Sequence, residues 1–352
     1  MLYPIVRPVA RYVLRYYFRN IDITGLENIP RKGAVVLAAN HPTAFIEPCL
    51  LACFQDRPLH FLARGNLFKN AFYNTLLAAV NILPVFRIED GGYGRLKDNF
   101  NTFATCYRAL SRGKAIMILA EGRCIHEKAL RPLRKGTARI ALGALDADPT
   151  LPEVYVVPVG ANFTHPERVR STVMIRCGEP IRASDFLDEY RAAEATAIKN
   201  FTQHLRARLE PLVVQFPNQD VADIGEALLE LDRIQHPQKE GITYDGQQLN
   251  RELEIAEEAP AEAPRLTRLY NRLGRQNVPL KALQPVDVNW FKVALTIPLI
   301  IPHLPLWLLA EGIGATLPKH VEFYSPVRFA VIAGGTFLLY PVALIFLPWP
   351  LK

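Results

Sequence analysis

Ala39-Asn40-His41-Pro42-Thr43-Ala44-Phe45-Ile46-Glu47-Pro48 is a polar island that follows the apolar run Ala34-Val35-Val36-Leu37-Ala38. An imidazole with a carboxylate six positions on, at the end of a buried strand, is what a site needs to take a proton from a hydroxyl. The carboxylate would hold the resulting imidazolium in place. On a continuous helix, at about 100° per residue, the two side chains would point roughly 120° apart, so they meet only if the chain turns between them. Pro42 allows such a turn, because it suits a first helical position and pushes His41 out of the helical region. His41 and Glu47 are therefore the expected catalytic pair.

Three further stretches carry chemistry. Ile82-Leu83-Pro84-Val85-Phe86-Arg87 reads as a short strand ending in an arginine. Ala115–Ala120 reads as a buried strand that breaks into the turn Glu121-Gly122-Arg123. There Gly122 can take backbone angles closed to other residues, and Glu121 can accept a hydrogen bond from a polyol hydroxyl or brace a basic neighbour. Nothing beside Cys124 in sequence supplies the base a thiolate nucleophile needs. Downstream, Arg131, Arg134, Lys135 and Arg139 gather within one segment, and a helix starting near Gly136 would aim its N-terminal amides at an anion. Within Val154–Phe163 the pattern reads as a central apolar strand ending near Pro158.

Taken together, residues 20 to 185 resemble the glycerolipid acyltransferases, the glycerol-3-phosphate and lysophosphatidate acyltransferase superfamily. Asn40-His41 with its downstream acid is similar to the first motif of that family. The usual spacing is four residues between His and Asp; here it is five and the acid is Glu, as in some glycerol-3-phosphate acyltransferase-like members. Glu121-Gly122-Arg123 is similar to the third motif, Phe-Pro-Glu-Gly-x-Ser, with Leu119, Ala120 and Cys124 at its first, second and last places. The resemblance implies that Arg87 binds the phosphate of the acyl acceptor, a role suited to a planar fork that grips phosphate oxygens in pairs. It also implies binding roles for Glu121, Gly122, Arg123, Arg131 and Lys135, and an acyl tunnel lined by Val157, Pro158 and Val159. The implied fold is α/β, a mixed and largely parallel sheet flanked by helices. The implied reaction moves an acyl chain from acyl-CoA or acyl-carrier protein to glycerol 3-phosphate or a lysophospholipid, with no metal and no bound organic cofactor. A remodelling transacylase and a non-catalytic lipid-binding protein are the alternatives.

The remaining sequence places this domain. The 352 residues, with net charge +7, call for an anionic partner, and the apolar C-terminal end favours membrane lipid over nucleic acid. Five cysteines without metal-ligand spacing read as free thiols of a reducing compartment. Residues 1–20 lack the apolar core of a secretory signal; instead Arg7, Arg11, Arg15 and Arg19 recur among tyrosines, as in an interfacial helix with a basic stripe. After the acyltransferase domain at 21–185, residues 186–288 read as a helical insertion or linker, interrupted at Pro260 and Pro264. Within 289–352, Val293–Ala310 and Phe329–Pro350 are uncharged runs, read as a two-span hairpin with the catalytic domain facing the cytoplasm. A helix pair lying in one leaflet is the second reading.

Overall fold

The computed structural model describes residues 2–65, 70–85, 96–273, 303–318 and 320–346. Its centre follows from two runs that are apolar on both faces, since strands of that kind belong inside a sheet covered on two sides. These are β2 (Ala34–Ala39) and β6 (Val154–Phe163), parallel, with Leu37 opposite Val157 and Ala39 opposite Val159. On the other side of β2 runs β5 (Ala115–Leu119), also parallel, with Ala39 opposite Leu119. β3 (Leu59–Arg64) and β4 (Ile82–Val85) continue the parallel run to one edge.

Beyond β6 the direction reverses once. β7 (Thr172–Cys177) is antiparallel to β6; β1 (Asn20–Thr24) then pairs in parallel with β7, and β9 (Gly241–Thr243) in parallel with β1. The short β8 (Ile181–Arg182) pairs with β6 off this path. The order β4-β3-β5-β2-β6-β7-β1-β9 is the mixed, largely parallel sheet that was expected.

Alternation along β2 sends Val35, Leu37 and Ala39 to one face of the sheet and Ala34, Val36 and Ala38 to the other. The first face is covered by α1 (Tyr3–Tyr17) and α2 (Ile46–Phe54), through Leu14, Tyr17, Leu50 and Leu51. The second is covered by α4 (Leu96–Ser111), α5 (Gly136–Ala147) and α7 (Glu194–Leu209), through Cys106, Leu110, Ile140, Phe201 and Leu205. α3 (Ala71–Ala79) leads into β4, and α6 (Leu187–Ala192) precedes α7.

Of the stretch 186–288, read as a helical insertion or linker, the described residues 186–273 are built into this sheet. α7 supplies core side chains and β9 an edge strand, while α8 (Gln219–Gln235) and α9 (Gln247–Leu273) close a third apolar cluster around Met174, Val214 and Leu229. α9 runs through Pro260 and Pro264 without ending there. All five cysteines are free.

One expectation is corrected and one finds no support. The arginines of α1 do not form an outward stripe: Arg7 and Arg11 turn toward the domain, and Arg15 is the exposed one within the helix. Arg7 donates to the Gln55 carbonyl, Arg11 lies 5.2 Å over the Phe54 ring, and Arg19, just past the helix, pairs with Glu240 at 3.4 Å. The exposed side of α1 carries Ile5, Val6, Tyr12 and Tyr16, with Arg15 among them.

The second concerns residues 289–352, where α10 (Leu304–Thr316) and α11 (Tyr324–Phe346) pack on each other. Among the described residues no helix is long and apolar enough to cross a membrane, so the two-span hairpin finds no support there. Residues 274–302 and 347–352 lie outside the described residues. α11 is fastened to the domain by Tyr17, whose hydroxyl lies 2.7 Å from Ser325 Oγ, and by Arg328, which pairs with Glu311 at 2.7 Å and donates to the Glu167 carbonyl at 3.2 Å.

Candidate active site

Because Ala39 and Leu119 are opposite one another at the ends of β2 and β5, the loops that follow leave the carboxyl edge of the sheet side by side. Open α/β sheets place ligand sites at that edge. The first loop is pinned by Asn40, whose side chain donates to the Ala161 carbonyl at 2.9 Å and accepts the Ala161 N–H at 2.7 Å. His41 then donates its backbone N–H to Glu121 Oε2 at 2.6 Å, and its carbonyl accepts the Ile125 N–H at 3.4 Å. Two neighbouring loops thus hold one residue.

The chain turns through residues 42–45 before α2 begins at Ile46, and Glu47 in the first turn of α2 faces back toward the loop. The result is the pair read from the sequence: His41 Nδ1 lies 3.7 Å from Glu47 Oε1, with His41 7% exposed and Glu47 0%. That separation is longer than a hydrogen bond, and Nδ1 is buried without a hydrogen-bond partner. The Glu47 carboxylate is held by Thr43, which donates its backbone N–H to Oε1 at 2.6 Å and its hydroxyl to Oε2 at 2.7 Å.

Both oxygens of Glu121 are taken. Besides the His41 N–H, the carboxylate accepts the Arg131 backbone N–H at 2.8 Å and Arg131 Nη2 at 3.2 Å. Arg131 also donates to the Arg123 carbonyl. These two residues are therefore a brace joining the His41 loop to the 121–135 loop. Gly122 has φ +74°, in the left-handed region, and a Cβ there would meet Arg134 Cγ at 3.0 Å. The positive φ is what calls for glycine here, and a Cβ would in addition press on the Arg134 side chain.

Lys135 is exposed and immediately precedes α5. Arg87 lies outside the described residues. Val157, Pro158 and Val159 are buried in β6, Val157 and Val159 within the cluster shared with Leu37, Ala39 and Ile46.

Sequence reasoning missed three contributors. Thr43 is one. Arg206 of α7 is another: it donates to the carbonyls of Leu130 at 3.0 Å and Arg131 at 2.9 Å, clamping the basic loop from a helix that reads only as amphipathic. His126 is the third, half-buried, with Nε2 lacking a partner and its pKa lowered chiefly by burial. Its proximity follows from the Ile125 to His41 contact, which no sequence pattern announces. Burial, helped by Glu47 and Glu322, pushes the Cys124 thiol up to about 11, so it is a thiol and not a thiolate at neutral pH. Among the described residues no cluster of His, Cys, Asp and Glu could hold a metal ion.

The matches to known proteins fall on these residues. The acyltransferase family model matches residues 20–162. An uncharacterized acyltransferase of Schizosaccharomyces pombe is 26% identical over 92% of this chain and 60% of its own length. Glycerol-3-phosphate O-acyltransferase 1 of Saccharomyces cerevisiae is 24% identical over 67% of this chain and 34% of its own. A 1-acyl-sn-glycerol-3-phosphate acyltransferase of Bacillus subtilis is 23% identical over 54% of this chain and 91% of its own. The chain thus spans only part of the length of the two yeast relatives. The stretch that folds around His41 and Glu121 is similar to the acyltransferase family.

Proposed function

We propose that the chain transfers a fatty acyl group from an acyl thioester, acyl-CoA or acyl-carrier protein, to a hydroxyl of glycerol 3-phosphate or a lysophospholipid at a membrane surface. The observation that carries this reading is the buried imidazole of His41 facing the buried carboxylate of Glu47 across 3.7 Å. With Nδ1 turned to Glu47, Nε2 is the nitrogen left to receive the acceptor's proton. As the oxygen attacks the thioester carbonyl, the O–H proton passes to Nε2, the new C–O bond forms and the C–S bond breaks. The imidazolium, stabilised by Glu47, returns the proton to the departing thiolate.

Arg87, Arg123 and Lys135 are proposed to hold the acceptor's phosphate, turning an encounter between two molecules into a positioned one. Glu121, Gly122 and Arg131 serve that site by shaping the loop. Val157, Pro158 and Val159 are proposed as the wall along which the acyl chain runs.

Attachment to lipid is supported by the apolar side chains left outside: Ile5, Val6, Tyr12 and Tyr16 on α1, and Leu304, Trp307, Leu308 and Leu309 on α10. An exposed apolar surface of this kind, on helices fixed to the domain, suits immersion in one leaflet.

The test is turnover of labelled acyl-CoA by the membrane-reconstituted protein with a panel of phosphorylated glycerol acceptors. His41→Ala is expected to lower kcat by about 10² to 10⁴-fold, the usual worth of general-base catalysis. Turnover by His41→Ala at the wild-type rate overturns the mechanism.

A further inference from the structure

We propose that Thr43 is the positioning residue that aims Glu47 at His41, and that it is what lets the longer His–acid spacing work; the proposal rests on His41 as the base. A carboxylate on the first turn of a helix can swing among several rotamers. Here both of its oxygens are fixed by one residue, Oε1 by the Thr43 N–H and Oε2 by the Thr43 hydroxyl, at 2.6 and 2.7 Å. The hydroxyl has one proton, and Thr43 Oγ1 accepts the Ile46 N–H at 3.2 Å, which leaves that proton for Glu47.

The pattern resembles a capping box shifted by one residue, with the reciprocal acid at the fourth position after the threonine. A capping box serves the helix alone. In this one the acid's Oε1 is also the atom nearest to His41 Nδ1, and Thr43 and Glu47 are both fully buried, so the box doubles as a mount for the catalytic acid. The turn at 42–45 absorbs the additional residue, and Thr43 closes it by binding across to Glu47. Without the hydroxyl, Oε2 loses its only donor among the described contacts, and a single bond, from the Thr43 N–H to Oε1, is left to set the carboxylate's angle toward Nδ1.

The test is a double-mutant cycle in the reconstituted wild-type background. Thr43→Val keeps the shape and the backbone N–H, and it removes only the hydroxyl's contacts. It is expected to lower kcat by about tenfold or more with KM for both substrates unchanged, and Thr43→Ser to restore kcat to within about twofold. In a Glu47→Gln background, Thr43→Val is expected to add less than about twofold, since both changes remove one function. The proposal is overturned if Thr43→Val alone stays within twofold of wild type or if the two losses multiply. It is also overturned if the loss tracks a lowered unfolding midpoint that serine does not repair. Absence of turnover by the wild-type protein with every acceptor would instead remove the base at His41, and this proposal with it.

Discussion

Among single residues, Glu121 shows how one motif carboxylate ties two loops together. Its carboxylate accepts from the His41 backbone, the Arg131 backbone and the Arg131 guanidinium. Glu121→Gln keeps the shape but turns an amide N–H toward one of those donors. It is expected to destabilise the fold by about 1–3 kcal/mol, the cost of a buried donor left without an acceptor, and to slow turnover; chemical denaturation beside kcat measures both. A variant with wild-type stability would show that the brace is idle. His41 and Glu47 were legible in the sequence because the turn at Pro42 allows them to meet and three further segments agree with the same family pattern. Thr43 and His126 were not, since a hydroxyl in a turn and a histidine in a loop acquire meaning only from neighbours distant in sequence or from an atom-level contact.

The secondary-structure elements, by contrast, were largely legible. β2 and β5 cover the apolar runs read as buried strands and α5 starts at Gly136 as expected, because these elements bury whole faces, whereas β6 runs on past the expected end near Pro158 to Phe163. α1 was half legible: its existence followed from the pattern, but which side faced out did not, because Gln55, Phe54 and Glu240 satisfy the arginines.

The same burial makes a prediction for the thiols of α4 and β7. Burial pushes Cys106 and Cys177 from an ordinary 9.0 up to about 12. Above pH 9 the unfolded chain releases these protons while the folded chain keeps them, so the unfolded state binds fewer protons and stability falls as pH rises toward 12. The slope is about 1.4 kcal/mol per pH unit for each thiol. Denaturation between pH 8 and 10.5 should show this loss, and a Cys106→Ala, Cys177→Ala variant should show a shallower one; equal slopes would rule the thiols out.

For the molecule as a whole, the outward apolar surface of α1 and α10 predicts lipid binding that is separable from folding. Trp307→Asp with Leu308→Asp removes two exposed side chains, 45% and 56% accessible, so the unfolding midpoint should hold. Co-sedimentation with phospholipid vesicles should weaken about tenfold or more, given the apolar area that no longer enters the lipid. Unchanged partition would place the lipid contact elsewhere. Whole-molecule arrangement was the least legible scale, because α7, β9 and α9 join the sheet through contacts that span most of the chain.

The strand order carries one more consequence. β1 belongs to the stretch matched by the family, yet its partners in the sheet are β7 and β9, at residues 172–177 and 241–243, both beyond position 162. A fragment trimmed to the matched boundaries would keep His41 but leave its first strand with unpaired amides and carbonyls along both sides. The matched stretch and the unit that can fold are therefore different objects in this chain, and expression trials cut at positions 20 and 162 are expected to yield aggregate.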